Sequence, residues 1–226
     1  MTTLCSIILE VRIASIRVIH SMKNKLTRFY WKLCRRVLIF WDLIRGVDFA
    51  RNHTMEEFGL TTDIGVAYSA SPSHDLRILL GKSGIRTTDI ILDYGAGKGA
   101  AMVAMSAFPF QQIHGVEISK ELSDIANKNF HKLGIKNAIV FHSSAESFTD
   151  LDGYNYFYLF NPFPTVIFQR VLQNIEDSYV RRPRKITLIY YNPSYSEVFD
   201  SFPFLKLIDS YMGRYFAMEI YNTTTN

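Results

Sequence analysis

An apolar run that ends in a carboxylate and then breaks into three alternate glycines, IILDYGAGKG at residues 90–99, constrains this chain more than any other stretch. Ile90, Ile91 and Leu92 make the continuous apolar run of a parallel strand buried on both faces. Gly95, Gly97 and Gly99 open left-handed backbone that other residues rarely adopt, and they let a ligand come close to the main chain. Ala100, Ala101, Ala104 and Ala107 follow at helical spacing, which predicts a helix lying close to a sheet with its first amides over the glycines. Strand, tight turn and helix start together predict a nucleotide-type cofactor site at the turn.

Glycine spacing leaves the cofactor open. Gly95, Gly97 and Ala100 satisfy the dinucleotide pattern G-x-G-x-x-G/A, and Glu117 stands 22 positions after Gly95, where that pattern places a ribose-binding acid. An NAD(P)-dependent oxidoreductase therefore stands as an alternative, and a catalytically inactive cofactor-binding scaffold as another. Asp93, two residues before the first glycine, tilts the choice. An anion beside the turn suits a ligand with positive charge, such as the amino and sulfonium groups of S-adenosylmethionine, better than a pyrophosphate.

In D-x-G-x-G-x-G the stretch resembles motif I of the class I S-adenosylmethionine-dependent methyltransferases. HGVEIS, His114 to Ser119, resembles the second strand of that fold with its acid at the end. The resemblance covers about Tyr68 to Tyr221 and implies an α/β, Rossmann-like seven-stranded sheet, mostly parallel with an antiparallel C-terminal strand and helices on both faces, plus an N-terminal helical extension. It implies S-adenosyl-L-methionine as cofactor, held by Asp93, Gly95, Ala96, Gly97, Gly99, Glu117 and Ile118. Tyr68 belongs to a segment expected to fold over the cofactor. Many similar enzymes use an Asp after the third strand for the adenine amino group; here Ser143 and Ser144 stand instead, and Ser144 is the candidate.

The expected organisation is a basic extension over 1–50, a capping segment over 51–88 and the catalytic domain over 89–226. Charge is uneven. Residues 1–50 hold nine Lys/Arg against three Asp/Glu, a surplus of +6, which leaves −2 for the rest. A core without clustered cations argues against a nucleic-acid substrate. Cys5 and Cys34 lack partners at CxxC or CxxH spacing, and the six histidines show no HExxH-like pattern, so neither a disulfide framework nor a metal site is expected. The expected compartment is cytoplasmic.

Between Glu10 and Asp42 no acidic residue occurs. Leu4, Ile8, Val11 and Val18 fit one helical face, and Trp31, Leu38 and Trp41 add aromatics in a second segment. No apolar run approaches the roughly 18 residues of a spanning helix, and no cleavable signal is expected. Residues 1–45 are thus read as covering the core, as touching a membrane peripherally, or as an interaction arm; a mitochondrial presequence is weaker. Ser71-Pro72 predicts a helix start leading into His74–Leu80.

Beyond the glycines, strands are expected over 112–118, 137–142, 154–160 and 185–191. Helices are expected over 121–133, with Gly134 as its stop, and over 166–175. A short helix over 196–202 and a hairpin of 205–211 with 215–222 complete five alternating β/α units and a final hairpin. Tyr158 and Tyr191 read as core aromatics. The fourth strand ends in Asn161-Pro162-Phe163, which resembles the N-P-P-[YF] signature of methyltransferases acting on amine or planar nitrogens, with Phe in place of the second Pro. The Asn161 side-chain carbonyl and the Pro162 main-chain carbonyl would accept N–H bonds while Phe163 packs on the substrate or on the methyl-bearing sulfur. The methyl acceptor itself is open, with a protein lysine or a small-molecule amine favoured.

Overall fold

The computed structural model describes residues 36–51, 73–160, 163–213 and 216–224. Tyr68, Ser71, Pro72, Asn161, Pro162 and the basic arm before residue 36 lie outside the described residues. In chain order the elements are α1 (36–45), α2 (Ser73–Lys82), β1 (Ile90–Tyr94), α3 (Ala100–Met105), β2 (Gln112–Glu117) and α4 (Lys120–Leu133). Then follow β3 (Ala138–His142), β4 (Tyr156–Phe160), α5 (Thr165–Arg181), β5 (Thr187–Tyr191), a 3-10 turn (Ser196–Ser201), β6 (Leu205–Met212) and β7 (Ala217–Thr223).

The seven strands form one sheet in the order β3-β2-β1-β4-β5-β7-β6. β1 pairs in parallel with β2 and with β4, and β7 runs antiparallel between β5 and β6. The chain builds outward from β1 through β2 to β3 and then returns to β4, so strand order reverses beside β1. In an open α/β sheet ligands settle outside the carboxyl ends of strands at that reversal. The expected seven-stranded architecture with an antiparallel end is therefore the one observed.

Alternation of period two divides the sheet's side chains between two cores. Leu92, Tyr94, Phe157, Leu159, Leu188 and Tyr190 face α5, meeting Phe168, Val171, Leu172 and Ile175. Ile91, Ile113, Tyr158, Ile189 and Tyr191 face Leu76 and Leu80 of α2, Met102 and Met105 of α3, and Ala126 and Phe130 of α4. Each fully buried Leu, Ile or Phe contributes about 1.5–3 kcal/mol by leaving water, so the two layers hold the strand ends in place on both sides. Tyr158 and Tyr191 are buried in this second layer, as expected of core aromatics.

Four expectations need correction. α3 ends at Met105, so it buries Ala101, Met102, Ala104 and Met105, while Ala107 lies past its end and is exposed. No helix joins β3 to β4: residues 143–155 cross by turns, so the alternating β/α pattern skips one unit. α5 continues six residues beyond the expected Ile175 because Glu176 to Arg181 contains no breaker, and Pro183 follows its end. β4 begins at Tyr156 and not at Tyr154, whose amide instead closes a turn on Leu151 O at 3.1 Å.

Candidate functional site

The glycine loop leaves β1 at Tyr94 and enters α3 at Ala100. Gly95, Gly97 and Gly99 have φ of 78°, 53° and 80°, all in the region closed to most side-chain-bearing residues. Gly95 N and Ala96 N both donate to Val116 O of β2, at 2.9 and 3.1 Å, which pins the turn to the neighbouring strand. Gly99 meets a second demand, since a Cβ there would lie 2.4 Å from Phe130 Cζ. Gly115 was missed by the sequence reading. A Cβ at that position would lie 2.6 Å from Ala96 Cβ and 2.7 Å from Met102 Sδ, so β2 needs a glycine for the loop and α3 to sit down on it. A lone glycine inside a strand pattern was the available signal.

Two carboxylates are buried beside this loop. Glu117 Oε2 accepts from Gly97 N and Oε1 from Ser119 N, each at 2.9 Å, and Ser119 Oγ caps α4 by accepting from Leu122 N at 3.3 Å. Burial raises the pKa of Glu117, while the amides of Ser119, Gly97 and Ile118 oppose the rise. Asp93 is 3% exposed, and burial, with the charge of Glu117 adding to it, pushes its pKa up to about 8. A pair of carboxylates in so dry a place is stabilised by a cation. A pyrophosphate would add like charge to like.

The third strand's end closes on the same site. Ser143 N donates to Glu117 O at 3.1 Å, and His142 Nε2 lies 3.1 Å from the carbonyl of the half-buried Ile118. Ser144 Oγ donates to Ser147 Oγ at 2.7 Å within its turn. Asp93, Gly95, Ala96, Gly97, Gly99, Glu117, Ile118 and the Ser144 turn are thus neighbours at one edge of the sheet.

Lys98, the side chain between the last two glycines, is 0% exposed. Its ammonium donates to Asp48 Oδ1 at 2.8 Å and to Arg51 O at 2.7 Å. Burial lowers its pKa against the opposing effect of Asp48. Asn129 of α4 completes the join: its Oδ1 accepts from Asp48 N, and its Nδ2 donates to Asp48 O and Lys98 O. The segment after α1 is shaped for this by Asp42, whose carboxylate accepts from Phe49 N and Ala50 N. The glycine loop, α4 and residues 42–51 therefore form one hydrogen-bonded unit, which no local pattern announced.

Past the end of β4, Phe163 is half-buried and meets Tyr94 edge to face at 6.3 Å. Phe160, Tyr191 and Phe216 cluster at the ends of β4 and β5, with ring centroids 5.2–5.8 Å apart. Tyr191 Oη donates to the buried Asp75 carboxylate of α2 at 3.0 Å. Asn192, directly after β5, holds φ 53°, a left-handed conformation that Asn tolerates better than most residues. Among the described residues no group of three or more His, Cys, Asp or Glu is placed to hold a metal ion.

A mostly parallel sheet with this strand order, an acid ahead of a glycine loop and a second acid at the next strand's end define the class I methyltransferase fold. The sequence matches no protein-family model and no curated protein. Among solved structures, a ribosomal protein L11 methylase from Lactobacillus delbrueckii subsp. bulgaricus is similar at TM-score 0.56 and 12% identity, over 71% of this chain and 82% of that one. An RNA methyltransferase from Salinibacter ruber, in complex with S-adenosyl-L-homocysteine, is similar at TM-score 0.55 and 14% identity, over 70% and 95%. A magnesium protoporphyrin IX methyltransferase from Synechocystis PCC 6803, with S-adenosylmethionine bound, is similar at TM-score 0.52 and 12% identity, over 67% and 78%. These likenesses are of fold, and the three proteins act on a protein, an RNA and a porphyrin.

Proposed function

We propose that this chain is an S-adenosylmethionine-dependent methyltransferase that methylates nitrogen, in a protein lysine or a small-molecule amine. The observation that carries the reading is the burial of Asp93 and Glu117 together beside a glycine loop, an arrangement that fits a ligand with a cationic end and a vicinal diol. When bound, the cofactor supplies an electrophilic methyl carbon on a sulfonium whose sulfur departs as a neutral thioether. Glu117 accepts from the ribose hydroxyls, and Asp93 holds the amino end. Gly95, Ala96, Gly97 and Gly99 give the main chain close access, and Ile118 and the Ser144 turn flank the base. Tyr68, which belongs to the capping segment over 51–88 and lies outside the described residues, is assigned to the same cofactor.

Asn161 and Pro162 then orient the acceptor through two carbonyls, and Phe163 packs on it. A lysine ammonium, with an ordinary pKa of about 10.4, must lose its proton before it can attack, and a dry aromatic surround favours the neutral amine. Positioning a neutral nucleophile in line supplies much of the rate in such a displacement. The catalytic domain over 89–226 carries a charge that offers no nucleic-acid track. The extension over 1–50 fits peripheral contact with a membrane from a cytoplasmic site.

Calorimetry tests the cofactor. Micromolar binding of S-adenosylhomocysteine with no binding of NADH is expected, and the reverse result would establish the oxidoreductase alternative. Tritiated S-adenosylmethionine with fractionated cell extract tests the acceptor: label should enter protein or small amines, and label confined to RNA would refute a protein lysine or small-molecule amine as the substrate. Asn161→Ala should keep cofactor affinity while lowering turnover by roughly 10²-fold, the scale of a lost positioning interaction.

A further inference from the structure

α1 turns an apolar stripe toward solvent. Leu38 is buried, and Asp42 is spent on the Phe49 and Ala50 amides. Val37, Phe40, Trp41 and Ile44, spaced i, i+3, i+4, i+7 on one helical face, are 45%, 58%, 37% and 58% exposed, with Leu43 at 74% beside them. A helix that merely covered the core would bury this stripe.

With Asp42 held by those amides, the other charged side chains of α1 are cationic. Arg36 and Arg45 bound it and are exposed. The aliphatic stem of Lys132 on α4 lies beside its C-terminal end, 3.6 Å from where a Gly46 Cβ would be. In sequence, the 31 residues between Glu10 and Asp42 hold eight Lys/Arg and no acid. An apolar stripe containing a tryptophan and bordered by cations matches a surface that is apolar beneath and anionic on top.

We infer that α1 is an interfacial helix whose partner is an anionic phospholipid surface. This deepens the peripheral-contact reading above and rests on it, but it does not depend on the identity of the cofactor. The stripe enters the headgroup boundary, and Arg36, Arg45 and the upstream cations pair with lipid phosphates and carboxylates. Among the described residues no helix is long and apolar enough to cross a membrane. The bond that Lys98 donates to Asp48 ties the segment after α1 to the glycine loop, so a docked helix carries the cofactor site to the membrane surface.

The test uses the full chain with phosphatidylcholine vesicles, with and without phosphatidylserine, in a sedimentation assay. Binding is expected only to the phosphatidylserine vesicles and should fall by roughly tenfold or more as salt is raised, because screening removes the attraction of the cations. Phe40→Ser/Ile44→Ser should weaken vesicle binding by roughly tenfold or more, with unchanged melting temperature and unchanged S-adenosylhomocysteine affinity. In Trp31→Phe, the remaining Trp41 should shift its emission to the blue on binding and lose access to aqueous quenchers. Equal binding by the double variant, equal binding to neutral vesicles, or a Trp41 that stays open to quencher in the bound state would overturn the inference. So would a protein partner that takes up α1 while vesicles do not bind. Vesicle binding by a protein that fails to bind S-adenosylhomocysteine would support the lipid surface and count against the methyltransferase reading.

Discussion

An ionised carboxylate offers about four lone-pair positions, and Glu117 has two occupied by the Gly97 and Ser119 amides. The remainder suit two neighbouring hydroxyl donors. Glu117→Ala removes both sets of bonds, and since hydrogen bonds to charged groups contribute about 1.5–3 kcal/mol each, S-adenosylhomocysteine affinity should fall by roughly 10²-fold in calorimetry. Asp93 makes a different prediction. Its folded pKa of about 8 lies above the unfolded value, which is about 3.9. The group therefore contributes to stability fully only below that unfolded value, and the contribution is lost as pH climbs through about 8. A ligand with an ammonium group favours the ionised form, so binding displaces a proton below that pH. Affinity for S-adenosylhomocysteine should rise between about pH 6 and 8, by up to about tenfold per unit, and level off above. In Asp93→Asn that slope should disappear.

Among the elements, the join between the segment after α1 and the glycine loop is the most exposed to test. Lys98 is buried at an ion pair whose other member, Asp48, is about a third exposed. Removing Asp48 leaves a fully buried ammonium without its counter-charge, whereas removing Lys98 leaves a carboxylate that water still reaches. Asp48→Ala should therefore destabilise the protein by about 3 kcal/mol, while Lys98→Met should cost less, and thermal melts of the two variants would rank them. Such a pair could not be read from the sequence, because its members lie 50 residues apart and an ion pair has no period. β1, the glycine loop and α3 were legible because strand, turn and helix start are encoded within a few consecutive residues. The end of α5 was not. Past Ile175 the apolar stripe continues only through Tyr179, which stacks on Phe204, and the helix persists to Arg181 while Arg184 donates to Ser178 O at 3.2 Å and to Ser178 Oγ at 3.0 Å.

At the scale of the molecule, the seven-stranded sheet was legible through what the resemblance to class I methyltransferases implied, which the alternation of strand-like and helix-like segments matched, even though the β3–β4 crossing lacks its helix. The stretch 143–155 is short and holds Asp150, Asp152 and Gly153, and the chain makes that crossing with turns alone. What composition and pattern do not record is how distant pieces meet: Gly213 leaves room for Asp75, where a Cβ would stand 2.5 Å from Oδ2, and Asp75 receives the hydroxyl of Tyr191 from the sheet face that α2 covers. The loop at the sheet's edge has a further consequence, in time rather than in energy. Gly95, Ala96 and Gly97 are already fixed by Val116 and Glu117, so under the proposed cofactor assignment the loop need not be ordered by its ligand. Stopped-flow mixing with S-adenosylhomocysteine should give a single exponential whose rate rises in proportion to ligand concentration, without the plateau that a slow rearrangement imposes.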